Sequence, residues 1–273
     1  MVPSLPKLNE LCQKPNYKTV GNWMVRHIER PAALYVTWVL LHTPVTAHQV
    51  TVGCMLSAVW GGFLLAAGTA ESFLAGSLVW QLWYLLDHVD GQIARYRGTS
   101  SNEGLFFDYL MHHVATFAFL FGAAWGLYEA SGEVLALFWG YLAAVSVAMI
   151  GILNDCQSKT VFTALMKRPG TFRVNPDPLK AVGKMPPGLS LPRRIFSLVH
   201  KSCEGHVVMN LFTVFAFLYL SMESSDTEAV LNIFWVILIY LACASTLVWV
   251  SKACHTIAKG RITEELARAF PEA

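Results

Sequence analysis

Charge is what this chain of 273 residues has least of: Asp, Glu, Lys and Arg make up only 14% of it, where soluble domains carry about a quarter. With 55% apolar residues and a mean hydropathy of +0.45, the composition excludes an ordinary soluble domain and points to a bilayer as solvent. The few charges nearly cancel, 20 basic against 18 acidic, and no basic cluster lies beside aromatic residues. Nucleic acid is therefore not an expected partner. The first 30 residues scatter Lys7, Lys14, Lys18, Arg26 and Arg30 through polar sequence and lack an apolar core with a small-residue cleavage site. No cleavable signal peptide is expected there. The six cysteines show no metal-ligand spacing, and several sit in apolar runs, so they read as free thiols. Internal repeats and low-complexity tracts are absent as well.

Long apolar runs are what the sequence does have. Crossing a bilayer takes about 20 mostly apolar residues, and such windows run near Thr46 to Ala67, Phe73 to Asp90, Leu105 to Tyr128, Val134 to Asn154, His206 to Leu220 and Val230 to Val250. The expected fold class is all-α, an integral membrane bundle of six transmembrane helices. Every Lys and Arg falls outside these windows, on alternate connections: five precede the first, Arg95 and Arg97 follow the second, nine lie between Lys159 and Lys201, and four follow the sixth. The remaining connections carry Glu71, then Glu129 and Glu133, then Glu223, Asp226 and Glu228. Under the positive-inside rule the basic side is cytoplasmic, which puts both termini there.

Residues 1–45 read as a cytoplasmic N-terminal region with an interfacial helix: Asn22 to Arg30 mixes Trp23, Val25 and Ile28 with Arg26 and His27, and Ala32 to Leu41 is apolar but too short to cross. The expected six-helix bundle spans 46–255, and 256–273 is a cytoplasmic tail. Within the bundle, 156–205 holds Pro169, Pro176, Pro178, Pro186, Pro187 and Pro192, so it reads as a cytoplasmic loop with short surface helices.

An ionisable residue within a span is costly and marks function by default. Three carboxylates gather around one expected cytoplasmic helix end, in Asp87-His-Val-Asp90-Gly91-Gln-Ile-Ala94-Arg95 and then Gly104-Leu-Phe-Phe-Asp108-Tyr-Leu-Met-His112. At about 100° per residue Asp87, Asp90, Gly91 and Ala94 occupy one sector of their helix, while Asp108 and His112 share a face of the next. Such faces suit hard divalent cations held by oxygen ligands, and Gly91 and Gly104 leave room for a bulky diphosphate at the backbone. The plain alternative is a set of helix-end carboxylates solvated at the interface or paired with Arg95 and Arg97, with His112 a hydrogen-bonded structural histidine. Weaker candidates are Asp155, the pair His206 and Asn210, and the basic residues Lys159, Lys167, Arg168, Arg173, Arg193 and Arg194, which topology alone explains.

These residues resemble the signature of the CDP-alcohol phosphotransferase family, D-x2-D-G-x2-A-R-x8-G-x3-D-x3-D, and match seven of its eight fixed positions, with His112 in place of the last Asp. Thr46-Ala47-His48-Gln49-Val50-Thr51 is similar to the stretch that opens the family's first helix, with His48 for the usual Asn. The resemblance implies a homodimer with a polar cavity facing the cytoplasm and two Mg²⁺ or Mn²⁺ ions. By position Asp87, Asp90, Asp108 and His112 would be the metal ligands. Gly91, Ala94, Arg95, Gly104 and Thr51 would meet substrate, and His112 would stand where the family has its general base. It also implies a CDP-linked donor and an alcohol acceptor, one of the two a lipid, with membrane lipids around the protein. Two other classes of function compete. A transporter would place charges along a path through several helices, yet the second half has no acidic residue inside its windows. A catalytically inactive scaffold or lipid-binding subunit would account for the missing fourth Asp.

Overall fold

The computed structural model describes residues 2–14, 17–19, 21–167, 190–222 and 227–270. Their regular structure is all helical: α1 (Leu5–Cys12), a π-helical turn (Val25–Glu29) leading into α2 (Arg30–Leu40), α3 (Ala47–Ala66), α4 (Ala70–Arg97), α5 (Asn102–Ser131), α6 (Leu135–Met166), α7 (Leu191–Ser202), α8 (Gly205–Ser221), α9 (Thr227–Ala258) and α10 (Arg261–Ala269). Among the described residues, α3, α5, α6 and α9 are long and apolar enough to cross a bilayer, and α7 with α8 adds a fifth crossing if the two form one broken span. The chain is an integral, multi-pass membrane protein.

All six apolar windows are helical, but several helices outrun them. α4 continues to Arg97, α6 to Met166 and α9 to Ala258, taking Arg95, Lys159 and Lys252 into helix where connections were expected. Helical ends favour cations at their C-termini, and long basic side chains reach water from the last turns of a span. α4 has the length to cross, but Glu71, Asp87, Asp90, Arg95 and Arg97 make it too polar to count by composition. α1 was not foreseen at all. The prolines Pro169, Pro176, Pro178, Pro186 and Pro187 of the expected loop, with Arg168 and Arg173, lie outside the described residues, as do Glu223 and Asp226.

The described chain forms two compact units, Met1–Tyr141 with Gly205–Leu238, and Leu142–Glu204 with Ile239–Ala273. In the second, Ser146 meets Thr246 at 2.6 Å and Gln157 donates to Thr256 at 2.9 Å, so α6 and α9 run parallel there. In the first, α4 runs antiparallel to α3, α5 and α8. Aromatic pairs join α4 to α5 and to the start of α9, with Trp80 stacked on Phe119 at 4.5 Å and Phe73 on Phe234 at 4.8 Å. The Gln81 amide donates to Asn210 at 3.0 Å and to Thr213 at 2.9 Å, tying α4 to α8. The outward faces stay apolar too, with Leu56, Trp60 and Phe63 exposed, as expected of helices that meet lipid.

α3 and α5 touch backbone to backbone. A Cβ on Gly122 would overlap the Gly62 carbonyl, one on Gly62 would overlap the Ala118 carbonyl, and one on Gly126 would overlap the Leu65 carbonyl. Gly122-Ala-Ala-Trp-Gly126 is thus a small-residue seam of the kind that lets membrane helices approach closely. Gly122→Val should cost about 1–3 kcal/mol through overpacking and lower the thermal midpoint in detergent. Gly53→Ala on the same α3, where an added Cβ meets nothing within 4 Å, should leave the midpoint level or raise it slightly. Equal shifts for the two substitutions would show that the seam does not hold these helices together.

Candidate active site

The polar end of the first unit is built by helix ends. Gly98 stops α4 in the left-handed conformation, φ 65°, where a side chain would be strained. Three residues later Ser101 caps α5, its hydroxyl accepting from the Gly104 N–H at 3.0 Å. This tight turn sets the last turns of α4 beside the first turns of α5. Thr46 and Gln49 form a reciprocal cap that starts α3 at the same end. The Arg97 guanidinium fastens the chain leading into that cap, donating to the Thr43 carbonyl at 2.9 Å and to the Val45 carbonyl.

Four sequence-predicted ligands meet here with unequal geometry. Asp87, Asp108 and His112 each offer a ligand atom within 4.8 Å of the others. Nε2 of His112 lies 3.2 Å from Oδ1 of Asp87 and 3.6 Å from Oδ1 of Asp108. The Trp83 ring stands edge-on to the imidazole, centroids 5.7 Å apart. Asp90 is outside this triplet. It is buried, and the Thr51 hydroxyl donates to its Oδ2 at 2.6 Å, tying α3 to α4. Two carboxylates and one imidazole converging on a point form a donor set that fits a divalent ion such as Mg²⁺ or Mn²⁺.

The expected substrate contacts also converge. Gly91, Ala94, Arg95, Gly104 and Thr51 line one cavity of about 320 Å³ with Asp87, Asp90, Asp108 and His112. His48 joins them, its ring 3.3 Å from where a Cβ on Gly104 would stand. Gly91 does more than leave room for a ligand. A Cβ there would come within 3.0 Å of the Arg95 guanidinium, so the missing side chain lets Arg95 lie along its own helix. The Arg95 Nε donates to the Cys12 carbonyl at 2.5 Å, joining α4 to the end of α1.

The cavity also takes Gln13, Lys14, Arg30 and His88, none of which the sequence reading singled out. Lys14 and Arg30 carried no signal beyond a basic N-terminus, because their placement depends on α1 docking. His88 neighbours Asp87, and its Nδ1 lies 2.9 Å from the Tyr84 carbonyl. The weaker candidates do not join. Asn210 bonds Gln81 and donates to the Met24 sulfur at 2.9 Å, a packing role, and His206 is not in the cavity wall. Asp155, Lys159, Lys167, Arg193 and Arg194 belong to the other unit. A larger groove of about 510 Å³ lies towards the far ends of α3 and α5, but its walls, including Phe63, Phe121 and Trp125, are largely apolar and hold no carboxylate, imidazole or amine.

Residues 44–174 match the family model described as CDP-alcohol phosphatidyltransferase. Over that stretch the chain is similar to that family. A bifunctional IPC transferase and DIPP synthase of Rubrobacter xylanophilus is 36% identical over 125 residues, 46% of this chain and 27% of the relative. The chain thus spans about a quarter of the length of the curated relative it matches. Among solved structures, Mycobacterium tuberculosis phosphatidylinositol phosphate synthase with CDP-DAG bound is similar at TM-score 0.54 and 18% identity, over 82% of this chain and 90% of that one. The same enzyme in complex with manganese and citrate matches at TM-score 0.54 and 19% identity, over 83% and 88% of the two chains. At that identity the likeness shows the fold. The family's signature segment, Asp87 to His112, lies wholly inside the matched residues and forms the carboxylate side of the cavity.

Proposed function

We propose that this chain transfers a substituted phosphate from a CDP-linked donor to an alcohol, forming a phosphodiester and releasing CMP, with one of the two substrates a lipid. The observation that carries the reading is the meeting of Asp87, Asp108 and His112 in one cavity with the signature's small residues and Arg95. Asp87 and Asp108 would hold the divalent ion, with Asp90 close by and a second ion expected from the family pattern. A bound divalent cation supplies charge neutralisation for the diphosphate and for the departing CMP. The protein's own part is to hold that charge in place, orient the donor through Arg95 and the open faces of Gly91 and Gly104, and receive a proton. As the acceptor oxygen bonds to the donor phosphorus, the bond from phosphorus to the CMP oxygen breaks and the hydroxyl proton leaves. His112 stands where that proton can go, since an imidazole accepts it near neutral pH without adding a fourth negative charge. The alternative role for His112 is that of a metal ligand in the base's place.

The six-crossing count, the homodimer and the sidedness belong to the same proposal. In the first unit the cavity end carries Lys14, Arg30, Arg95 and Arg97, while the far ends of α3, α4 and α5 carry Glu71, Glu129 and Glu133. That asymmetry supports a cytoplasmic active site and cytoplasmic termini.

Three outcomes test the reading. Purified protein given Mg²⁺ or Mn²⁺, CDP-diacylglycerol or CDP-linked headgroups, and candidate alcohols should release CMP. Excess EDTA should abolish release, and Asp87→Asn or Asp108→Asn should each cut the rate by several powers of ten. No CMP from any pair would favour an inactive scaffold instead. His112→Ala should lower kcat by roughly 10² to 10⁴-fold with donor affinity little changed, and His112→Asp should recover part of the loss. A wild-type rate in His112→Ala would make the histidine structural. For sidedness, single cysteines at Glu129 and Lys201 in a cysteine-free background should react with an impermeant reagent in intact cells at Glu129 only. Labelling at Lys201 alone would reverse the topology.

A further inference from the structure

We infer that the N-terminal segment completes the catalytic cavity, Lys14 supplying, beside Arg95, a cationic wall that grips the donor's diphosphate. This rests on the phosphotransfer reading above and goes beyond the matched residues 44–174, because Lys14 lies outside them.

The segment is docked firmly enough to form a wall. Leu8 and Cys12 of α1 and Ala33 of α2 are fully buried in one cluster with Val89 and Ile93 of α4. Thr37 donates to Gln92 at 2.8 Å, and the Gln92 amide donates to the Arg30 carbonyl at 3.3 Å, tying α2 to the helix that carries Asp87. The Arg95 bond to the Cys12 carbonyl fixes the end of α1. Two residues on, Lys14 enters the lining of the cavity that holds Asp87, Asp90 and Asp108. The cavity lining thus carries both signs of charge. Carboxylates repel a free phosphate and need a cation between, whereas an ammonium or guanidinium binds phosphate oxygens directly. A diphosphate that brings cations on one face and bare oxygens on the other matches such a cavity. Arg95 spends its Nε on the Cys12 carbonyl and Arg30 a guanidinium N–H on the Tyr17 carbonyl, whereas the Lys14 ammonium on its flexible stem is the cation best able to follow the substrate.

The test measures binding of CDP to the full chain by calorimetry, with Mn²⁺ present, alongside donor and acceptor KM. Lys14→Ala should weaken CDP binding by roughly ten- to a hundredfold, the usual size of a lost hydrogen bond to a charged group. Donor KM should rise in step while kcat and acceptor KM stay level. Lys14→Arg should restore most of the affinity, and added salt should weaken the wild type more than Lys14→Ala. Lys7→Ala, on the exposed side of α1 where Lys7 pairs with Glu10, should behave as wild type. CDP affinity unchanged in Lys14→Ala, an effect confined to acceptor KM, or no CDP binding by the wild type would each overturn the wall. CDP binding by the wild type without turnover on any donor would sink the phosphotransfer reading and leave the wall standing.

Discussion

The first unit depends on the contact between α3 and α5, where Gly62, Gly122 and Gly126 bring two backbones together with no side chain between them. A bilayer gives apolar helices little reason to leave lipid for one another, so close packing of this kind has to supply the attraction. Its consequence is felt at the other end of the same helices. Two parallel helices held this tightly carry their first turns side by side, and those turns bear Thr51 and His48 on α3 and Asp108 and His112 on α5. α4 runs back between them, with Gly76 against the Gly61 carbonyl, and delivers Asp87 and Asp90 to the same level. The geometry of the carboxylates is thus set some turns away from them, by residues that carry no charge.

Gathering carboxylates among spanning helices is tolerable only where each finds a partner or a route to water. Here the burden is divided. Asp90, buried, takes the Thr51 hydroxyl, while Asp87 and Asp108 meet the imidazole of His112 in the cavity wall. The site lies at helix ends, where the last turns of α4 and the first of α5 reach polar surroundings and where Arg95 and Arg97 suit the C-terminus of α4. A transport path would instead need such groups through the depth of the bundle. Their confinement to one end favours chemistry on a molecule that arrives from one side.

The N-terminal segment is part of the cavity. Burial of Leu8, Cys12 and Ala33 against α4, together with the bonds from Arg95, Arg97 and Thr37, makes residues before α3 a structural wall of the cavity. Burial pushes the Cys12 thiol above its ordinary range, in keeping with a packing role for that cysteine and with its position beneath Arg95.

Local sequence determined what depends on local rules. Apolar runs of spanning length, basic and acidic connections in alternation, and the spacing of Asp87, Asp90, Asp108 and His112 place helices and faces, because helical periodicity and the cost of charge in lipid act on neighbours in the chain. What only the tertiary structure decided depends on contacts between distant segments: Asp90 turned to Thr51, Arg95 laid over Gly91 and bonded to Cys12, and Lys14 brought into the cavity by α1. The polar first 30 residues hold no periodicity strong enough to announce α1, and the glycines of the α3–α5 seam look like any glycines in an apolar run until the opposing backbone is in place. The extended ends of α4, α6 and α9 were hidden for a related reason, since hydropathy marks where lipid ends and a helix held by its own hydrogen bonds continues past that boundary.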